Sequence, residues 1–564
     1  MKKTLRRSIA VAGAAALVAL AGCSTDRGDS DGGAGVGANE GEAANDGILE
    51  IMGWGGTTWN QNFNTWSPTA SAVTPGTSFF YEPLVRVDRV SGGEVLPYLA
   101  EDWEFNDEGS ELTFHLRQDV TWSDGEPLTS ADVAYSWDLA LSDETAVVYP
   151  FDDYEVVDEH TITVDYGDTN FTDLVAFGSR PIIPEHIWQE EDVASWTNPE
   201  PVGTGPFELD SFSPQQVQLS LRDDYWGPDS NGVQTVRFRA MSPEAGRDAL
   251  LKGELDYTTM GWENAEEEFV AVDPETNVYN FYPVGGSDGY FFNTLEAPYD
   301  DPAVRRALRD SLDLQTAADL VRVGYDVPTK AGFDPVVMED FLPEDPSDWE
   351  QNQDAEAALA ELENAGWSVE NGQLLDSDGE AYSVVIDVYQ PYTEWVLTAQ
   401  IMADQWGDAL GLDVDVNQLG ENQYSEVIDE GRFGIVSGVS MPGNTTMYNY
   451  FRYFDSSLVG EPGDNQSGND AFWQNEDMDE VTREIAAIPP GEEEQRLQEL
   501  ARAGQMILTE EAPAIHVATA GWKATLYTGK WDGWPTPGET DYVPNNTLLA
   551  DPILTVLNLH PREG

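Results

Sequence analysis

His115, His160, His186, His516 and His560 are the chain's five histidines, and no two stand at a spacing that would pair them as metal ligands. Neither a Walker A loop nor a dinucleotide-binding fingerprint occurs, and no G-x-S-x-G elbow is set between a strand and a helix. Val202-Gly203-Thr204-Gly205 carries only part of a glycine loop, and a tight turn at a crossover accounts for it better than a phosphate site does. With 104 Asp and Glu, coincidental carboxylate pairs are inevitable, so a secreted glycoside hydrolase stays open as a rival of a different class. The side chains best suited to a specific task are the 18 tryptophans. Indole faces suit the apolar faces of sugar rings and the indole N–H suits a polar edge, although at least two thirds of these residues are expected to serve packing, Trp103 and Trp122 among them.

Such residues need a scaffold, and the stretch Glu111 to Val133, ELTFHLRQDVTWSDGEPLTSADV, shows how one is written. Leu112, Phe114 and Leu116 alternate with Thr113, His115 and Arg117, as in a strand with one buried face. Ser123-Asp124-Gly125 is a turn tripeptide. Thr129 or Ser130 then caps a helix whose first turn holds Asp132 at the positive end of the dipole. Farther on, Asp301-Pro302 starts a helix with Leu308 and Leu312 on one face. Residues 354–367 sketch an amphipathic helix stopped at Gly366, and Gln400 to Trp406 a further helix before the strand-like Leu412-Asp413-Val414-Asp415-Val416. Helices alternating with short apolar strands give an α/β fold class.

As a string, Glu111–Val133 resembles the signature of the family 5 extracytoplasmic solute-binding proteins, the receptors of oligopeptide, dipeptide, nickel and some oligosaccharide ABC importers. Tyr81-Glu82-Pro83-Leu84-Val85, Leu99–Trp103, Pro181–His186, Val202–Phe207, Gly253–Asp256, Phe291–Thr294 and Asp301–Leu308 resemble further blocks of that family in the same order. The resemblance implies a periplasmic-binding-protein type II fold, two lobes closing by a hinge, with an inserted additional domain. Its layout places a first domain at residues 48–84, 201–288 and 521–564, an inserted second domain at 85–200 and a third at 289–520. The crossovers fall near Gly285–Gly289 and near Ala520-Gly521. It implies a monomeric receptor without cofactor or catalysis, partnered by an ABC permease and ATPase complex.

The ligand reads two ways. Peptide-binding members carry an aspartate for the peptide's amino group in a segment resembling Gly-Trp-x-x-Asp. The corresponding Gly438–Asn444 here has neither the tryptophan nor the aspartate, and a neutral Asn offers no countercharge to a buried ammonium. Asn62-Phe63-Asn64-Thr65-Trp66-Ser67-Pro68 and Gly533-Trp534-Pro535-Thr536 resemble strings of β-glucoside and cello-oligosaccharide receptors. Oligopeptide is the default for the family, and oligosaccharide is the alternative. By position in the family layout, the ligand-binding candidates are Trp54, Trp66, Trp262, Tyr290, Trp395, Asn444 and Trp522.

The N-terminus reads as an export signal, with Lys2, Lys3, Arg6 and Arg7 before an apolar run from Ile9 to Ala21 that is short for a membrane span. Leu20-Ala21-Gly22-Cys23 matches the lipobox of bacterial lipoproteins, and Cys23 is the chain's one cysteine. Residues 1–22 are thus expected to be removed. Cys23 is expected to carry lipid and residues 23–47 to form a polar tether, holding the receptor at the outer face of the cell membrane. The net charge of −77 argues against nucleic acid and anionic lipid surfaces as partners. The acids are dispersed, and lysine occurs only at positions 2, 3, 252, 330, 523 and 530. This pattern resembles proteins adapted to high salt, where the Debye length falls to about 3 Å at 1 M and self-repulsion is screened. The thermal unfolding midpoint is therefore expected to rise steadily with NaCl up to molar concentrations, and a midpoint indifferent to salt would remove the halophilic reading.

Overall fold

The computed structural model describes residues 46–563, apart from 55, 67–72, 89–92, 142–150, 152, 263, 322–326, 441–445, 461, 464–468 and 546–547. The export signal, Cys23, most of the tether and Asn444 lie outside the described residues.

The stretch Glu111–Val133 folds as strand, turn and capped helix. Leu112, Phe114 and Leu116 of strand Glu111–Leu116 are buried while Thr113, His115 and Arg117 are not. The strand pairs antiparallel with Ala100–Phe105 and Thr161–Asp165 in a four-stranded sheet. Gly125 takes a left-handed φ of 92° in the turn. Thr129, not Ser130, caps helix Ser130–Ala140, and Asp132 reaches back to the Thr129 N–H at 2.9 Å to complete a capping box. The helix then holds the next block of sequence. Ser136 Oγ accepts from Ile183 N at 3.0 Å and the second Asp132 oxygen accepts from Glu185 N at 3.0 Å.

Gly203 and Gly205 serve close approach rather than a turn. A Cβ on either would lie 2.0 Å from the Phe80 carbonyl oxygen or 2.2 Å from that of Phe79. Arg222, almost wholly buried, donates to the carbonyls of Gly203 and Gly205 at 3.0 and 3.1 Å and to that of Trp122 at 3.3 Å. Beside this junction Glu82 is fully buried, accepting from Tyr225 Oη and Trp226 Nε1 at 2.8 Å each. Burial holds its carboxyl above the ordinary range.

Among the described residues the largest sheet has ten strands. Its spatial order runs Asp413–Leu419, Ser383–Tyr389, Ile435–Ser440, Asn277–Phe292, Ala514–Tyr527, Tyr257–Thr258, Ile48–Met52, Thr235–Arg239, Gln216–Leu221 and Phe207–Ser213. Asn277–Phe292 and Ala514–Tyr527, the two long strands, pair antiparallel in the middle. At one end they send Tyr282, Ala524 and Leu526 into a core shared with the four-stranded sheet. At the other end Tyr290 and Phe292 enter a second core and Phe291 a third, so successive side chains feed opposite faces. Both faces of that end are covered by a core of their own.

Arginines close one helix end. Helix Pro302–Asp310 starts with Asp301 as N-cap, its Oδ1 accepting from Ala303 N at 2.9 Å, and carries Arg305, Arg306 and Arg309. Arg309 donates to the Thr509 carbonyl at 2.8 Å, Arg306 to that of Glu510, and Arg305 Nε to that of Glu511 at 2.8 Å. These are the last carbonyls of helix Glu494–Glu511, which its own turns leave unsatisfied. Burial lowers the Arg305 pKa to about 10, which leaves it charged at neutral pH. Arg305→Leu strands several buried acceptors at once and is expected to cost about 3 kcal/mol or more in denaturant unfolding.

Candidate functional site

The pairing of the two long strands slips at their centre. Pro283 lies opposite Gly521 and Ser287 opposite Thr519, so three residues on one strand face one on the other. Pro283 has no N–H for the ladder. Gly521 is required by space, since a Cβ there would lie 2.2 Å from the Phe281 ring and 2.6 Å from the Tyr282 carbonyl oxygen. Next to the slip Ser287 Oγ and His516 Nδ1 are 2.9 Å apart. Burial lowers the His516 pKa to about 3, so the ring is neutral. Both residues are essentially inaccessible, so the pair holds the strands together and has no route to a substrate.

On one side of the slip an aromatic series runs along the ends of neighbouring elements. Tyr290 Oη donates to the Trp395 carbonyl at 2.6 Å, so the structure brings these two sequence candidates together. Both are buried, and the ring that reaches outward is Tyr392, 46% exposed, 4.8 Å from Trp395 and edge-on to it. Tyr389, at the end of strand Ser383–Tyr389, lies 5.0 Å from Tyr392 and 5.0 Å from Tyr424. Tyr424 Oη donates to the Ser437 carbonyl. Burial, then the carboxylate of Glu421, raises the Tyr389 pKa; burial, then Tyr389, Glu394 and Asp288, raises that of Tyr392. The phenols therefore remain protonated donors. Behind them burial pushes the Asp470 carboxyl up to about 6, against a 2.8 Å hydrogen bond from Tyr453 that holds it down.

The remaining candidates are dispersed. Trp54, 37% exposed, follows strand Ile48–Met52, and its carbonyl accepts from Trp59 Nε1 at 2.9 Å. Trp66 is buried in the first core. The ring of Trp262 packs on Phe269 at 5.1 Å, with the Arg247 guanidinium 5.3 Å from its centroid, and its N–H donates to Glu268 at 3.0 Å. That leaves little of it to meet a ligand. Trp522 pairs with Tyr282 beside the slip, half-buried, and its indole N–H has no hydrogen-bond partner among the described residues. Tyr389, Tyr392, Tyr424 and Asp288 were not singled out from the sequence. The i, i+3, i+6 spacing of Tyr389, Tyr392 and Trp395 across a strand end and a helix start was the available signal. No cluster of His, Cys, Asp and Glu able to hold a metal occurs among the described residues, and no described helix is long and apolar enough to cross a membrane.

Two helix-covered halves of one sheet, joined by a pair of irregular strands, define a periplasmic binding protein of type II fold. Residues 94–461 match the bacterial extracellular solute-binding proteins, family 5 (middle region), and the chain belongs to this family. It is 24% identical over 485 residues to the oligopeptide-binding protein OppA of Bacillus subtilis, covering 80% of this chain and 83% of that protein. Its fold is similar to that of the periplasmic oligopeptide-binding protein of a Thermotoga maritima oligopeptide ABC transporter, with a TM-score of 0.80 and 21% identity over 91% of this chain and 99% of that one. The mannohexaose-bound form of that protein gives a TM-score of 0.77 at 21% identity, over 92% and 99%.

Trp522 and Trp262 should separate in experiment. Trp522→Ala is expected to weaken ligand binding by roughly tenfold or more by calorimetry, since it removes a half-buried ring beside the slip. Trp262→Ala is expected instead to cost about 3–5 kcal/mol of stability with little change in affinity. The reverse pattern would move the site to Trp262.

Proposed function

We propose that the protein is a lipid-anchored extracytoplasmic receptor that captures an oligopeptide-type solute by hinge closure and delivers it to an ABC permease. The observation that carries this reading is the slip at Pro283–Ser287 against Thr519–Gly521. There two strands pass between separately packed cores, and their ladder is weakest midway. A hinge needs such a place, where a few residues absorb the change in backbone angles. In this reading residues 48–84, 201–288 and 521–564 form one domain, 85–200 the insertion and 289–520 the opposing lobe, with Cys23 and the tether outside. The similarity to OppA of Bacillus subtilis supports a peptide ligand. Binding needs no covalent chemistry, only a ligand that contacts the closed form better than the open one.

An oligosaccharide is the second reading. The outward ring of Tyr392, the protonated phenols beside it and the half-buried ring of Trp522 offer apolar faces and neutral donors of the kind a pyranose uses. The mannohexaose bound to the Thermotoga maritima relative supports the same reading. Thermal-shift titration in molar NaCl with tri- to hexapeptides, and separately with cello- and manno-oligosaccharides, tests both. A ligand at a hundred times its Kd adds about 2.7 kcal/mol. A rise in midpoint with peptides alone supports the first reading and a rise with sugars alone the second. Cleavage of the sugar on incubation would overturn both in favour of a hydrolase.

A further inference from the structure

The two long strands are not the only tie between the first core and the third. Phe171 is seated on the four-stranded sheet, its ring 5.1 Å from Phe105, and Gly109 leaves the space for it, since a Cβ there would lie 2.5 Å from that ring. From this anchor the chain reaches across. Phe171 N donates to the carbonyl of Ala486, the last residue of helix Glu476–Ala486, at 2.8 Å. Two residues on, the Asp173 carboxylate is 2% exposed and meets Arg452 Nη1 at 2.8 Å. Its other oxygen accepts from Asn170 Nδ2 at 2.5 Å. Arg452 Nη1 also contacts Tyr448 Oη at 3.0 Å and its guanidinium stands 5.8 Å from the Tyr448 ring. Arg452 and Tyr448 belong to helix Met447–Arg452, which begins just after the segment that holds Asn444.

We propose that Asp173 and Arg452 form a clasp that holds the receptor in its closed state and makes closure all-or-none. The inference rests on the hinged-receptor reading, because it names what the closed state is held by. A carboxylate kept from water is tolerated only while its cation and hydrogen bonds are in place. A partly opened arrangement would leave Asp173 desolvated without Arg452, whereas full opening returns both charges to water. Intermediate separations are thus penalised and two end states remain. Removing either partner therefore lowers the population competent to bind, and apparent affinity falls by the same factor.

The test measures the distance between halves without any ligand, so it stands apart from the identity of the solute. Val157→Cys and Val336→Cys, both on exposed side chains, are spin-labelled in the full chain carrying Cys23→Ser, and distances are read by double electron–electron resonance. Arg452→Met is expected to lower the ratio of short to long distances by about tenfold, a shift in population with no populated intermediate. Asp173→Asn/Arg452→Met, which leaves no charge stranded, is expected to recover part of the short population. Near-UV circular dichroism checks that each variant is folded, and Arg452→Lys, which keeps the charge but loses the second contact, is read in place of Arg452→Met should that variant not fold. Folded single variants with the parent distances overturn the proposal, as does a loss that the double variant fails to reverse in part. Failure of the receptor reading would show differently, as distances that no added peptide or oligosaccharide changes.

Discussion

The antiparallel pairing of Asn277–Phe292 with Ala514–Tyr527, with the slip at its middle, is the constraint on which the rest of the structure depends. A continuous ladder of this length would be a stiff bar, with every backbone group satisfied by its neighbour. The slip at Pro283–Ser287 against Thr519–Gly521, followed by a second register shift between Asp288 and Gly289 where Val517 is passed over, breaks the bar in its middle and leaves it paired at both ends. Each residue there has a physical reason. Proline contributes no donor, glycine makes room for Phe281, and Ser287 with neutral His516 supplies a side-chain bond where the ladder lapses. Separate cores at the two ends let bending at the slip leave the core of each half intact.

Arginine does much of the remaining structural work, and this bears on the charge pattern. Asp and Glu outnumber Lys and Arg by 104 to 27, yet several cations are spent on carbonyls as well as on acids. Arg222 ties two loops together by their carbonyls, and Arg305, Arg306 and Arg309 close the end of helix Glu494–Glu511. A guanidinium presents five donors in a fixed plane and can satisfy several acceptors at once, which an ammonium on a flexible stem does poorly. The preference for arginine over lysine thus has a structural source at these buried positions, which demand several donors in one plane whatever the solvent.

How far the fold could be read depended on how local its cause was. The strand, turn and helix of Glu111–Val133, the Asp301 cap and the Gly366 stop were legible because each rests on neighbours a few residues away. The glycines of Val202–Gly205 were visible as glycines, but their reason, the carbonyls of Phe79 and Phe80, lies more than a hundred residues off. The tryptophans could not be sorted from the sequence for the same cause. Nothing local distinguishes Trp262, packed against Phe269 and Arg247, from Trp522, whose N–H is left without a partner. Tyr392 went unnoticed because its significance comes from Tyr389, Tyr424 and Asp288, which reach it from separate elements.

This division explains why membership in the family is plain while the solute is not. The blocks that carry the resemblance meet at structural junctions: Glu82 with Tyr225 and Trp226, Asp132 and Ser136 with residues 183–185, Arg222 with Gly203 and Gly205. Disturbing any of them strands a buried polar group, so the choice of residue at these junctions is narrow. The rings around Tyr392 obey no such requirement. They stand at strand ends and helix starts, held from behind by Tyr290 and the Trp395 backbone, and their outer faces can change without loosening a core. Neutral phenols beside acidic side chains suit hydroxyl-rich or amide-rich ligands, both of which are met by donors and apolar faces rather than by a single countercharge. The scaffold that makes a receptor is therefore written in its buried contacts, and in the proposed reading the choice between peptide and sugar rests on the exposed face of Tyr392 and the rings beside it.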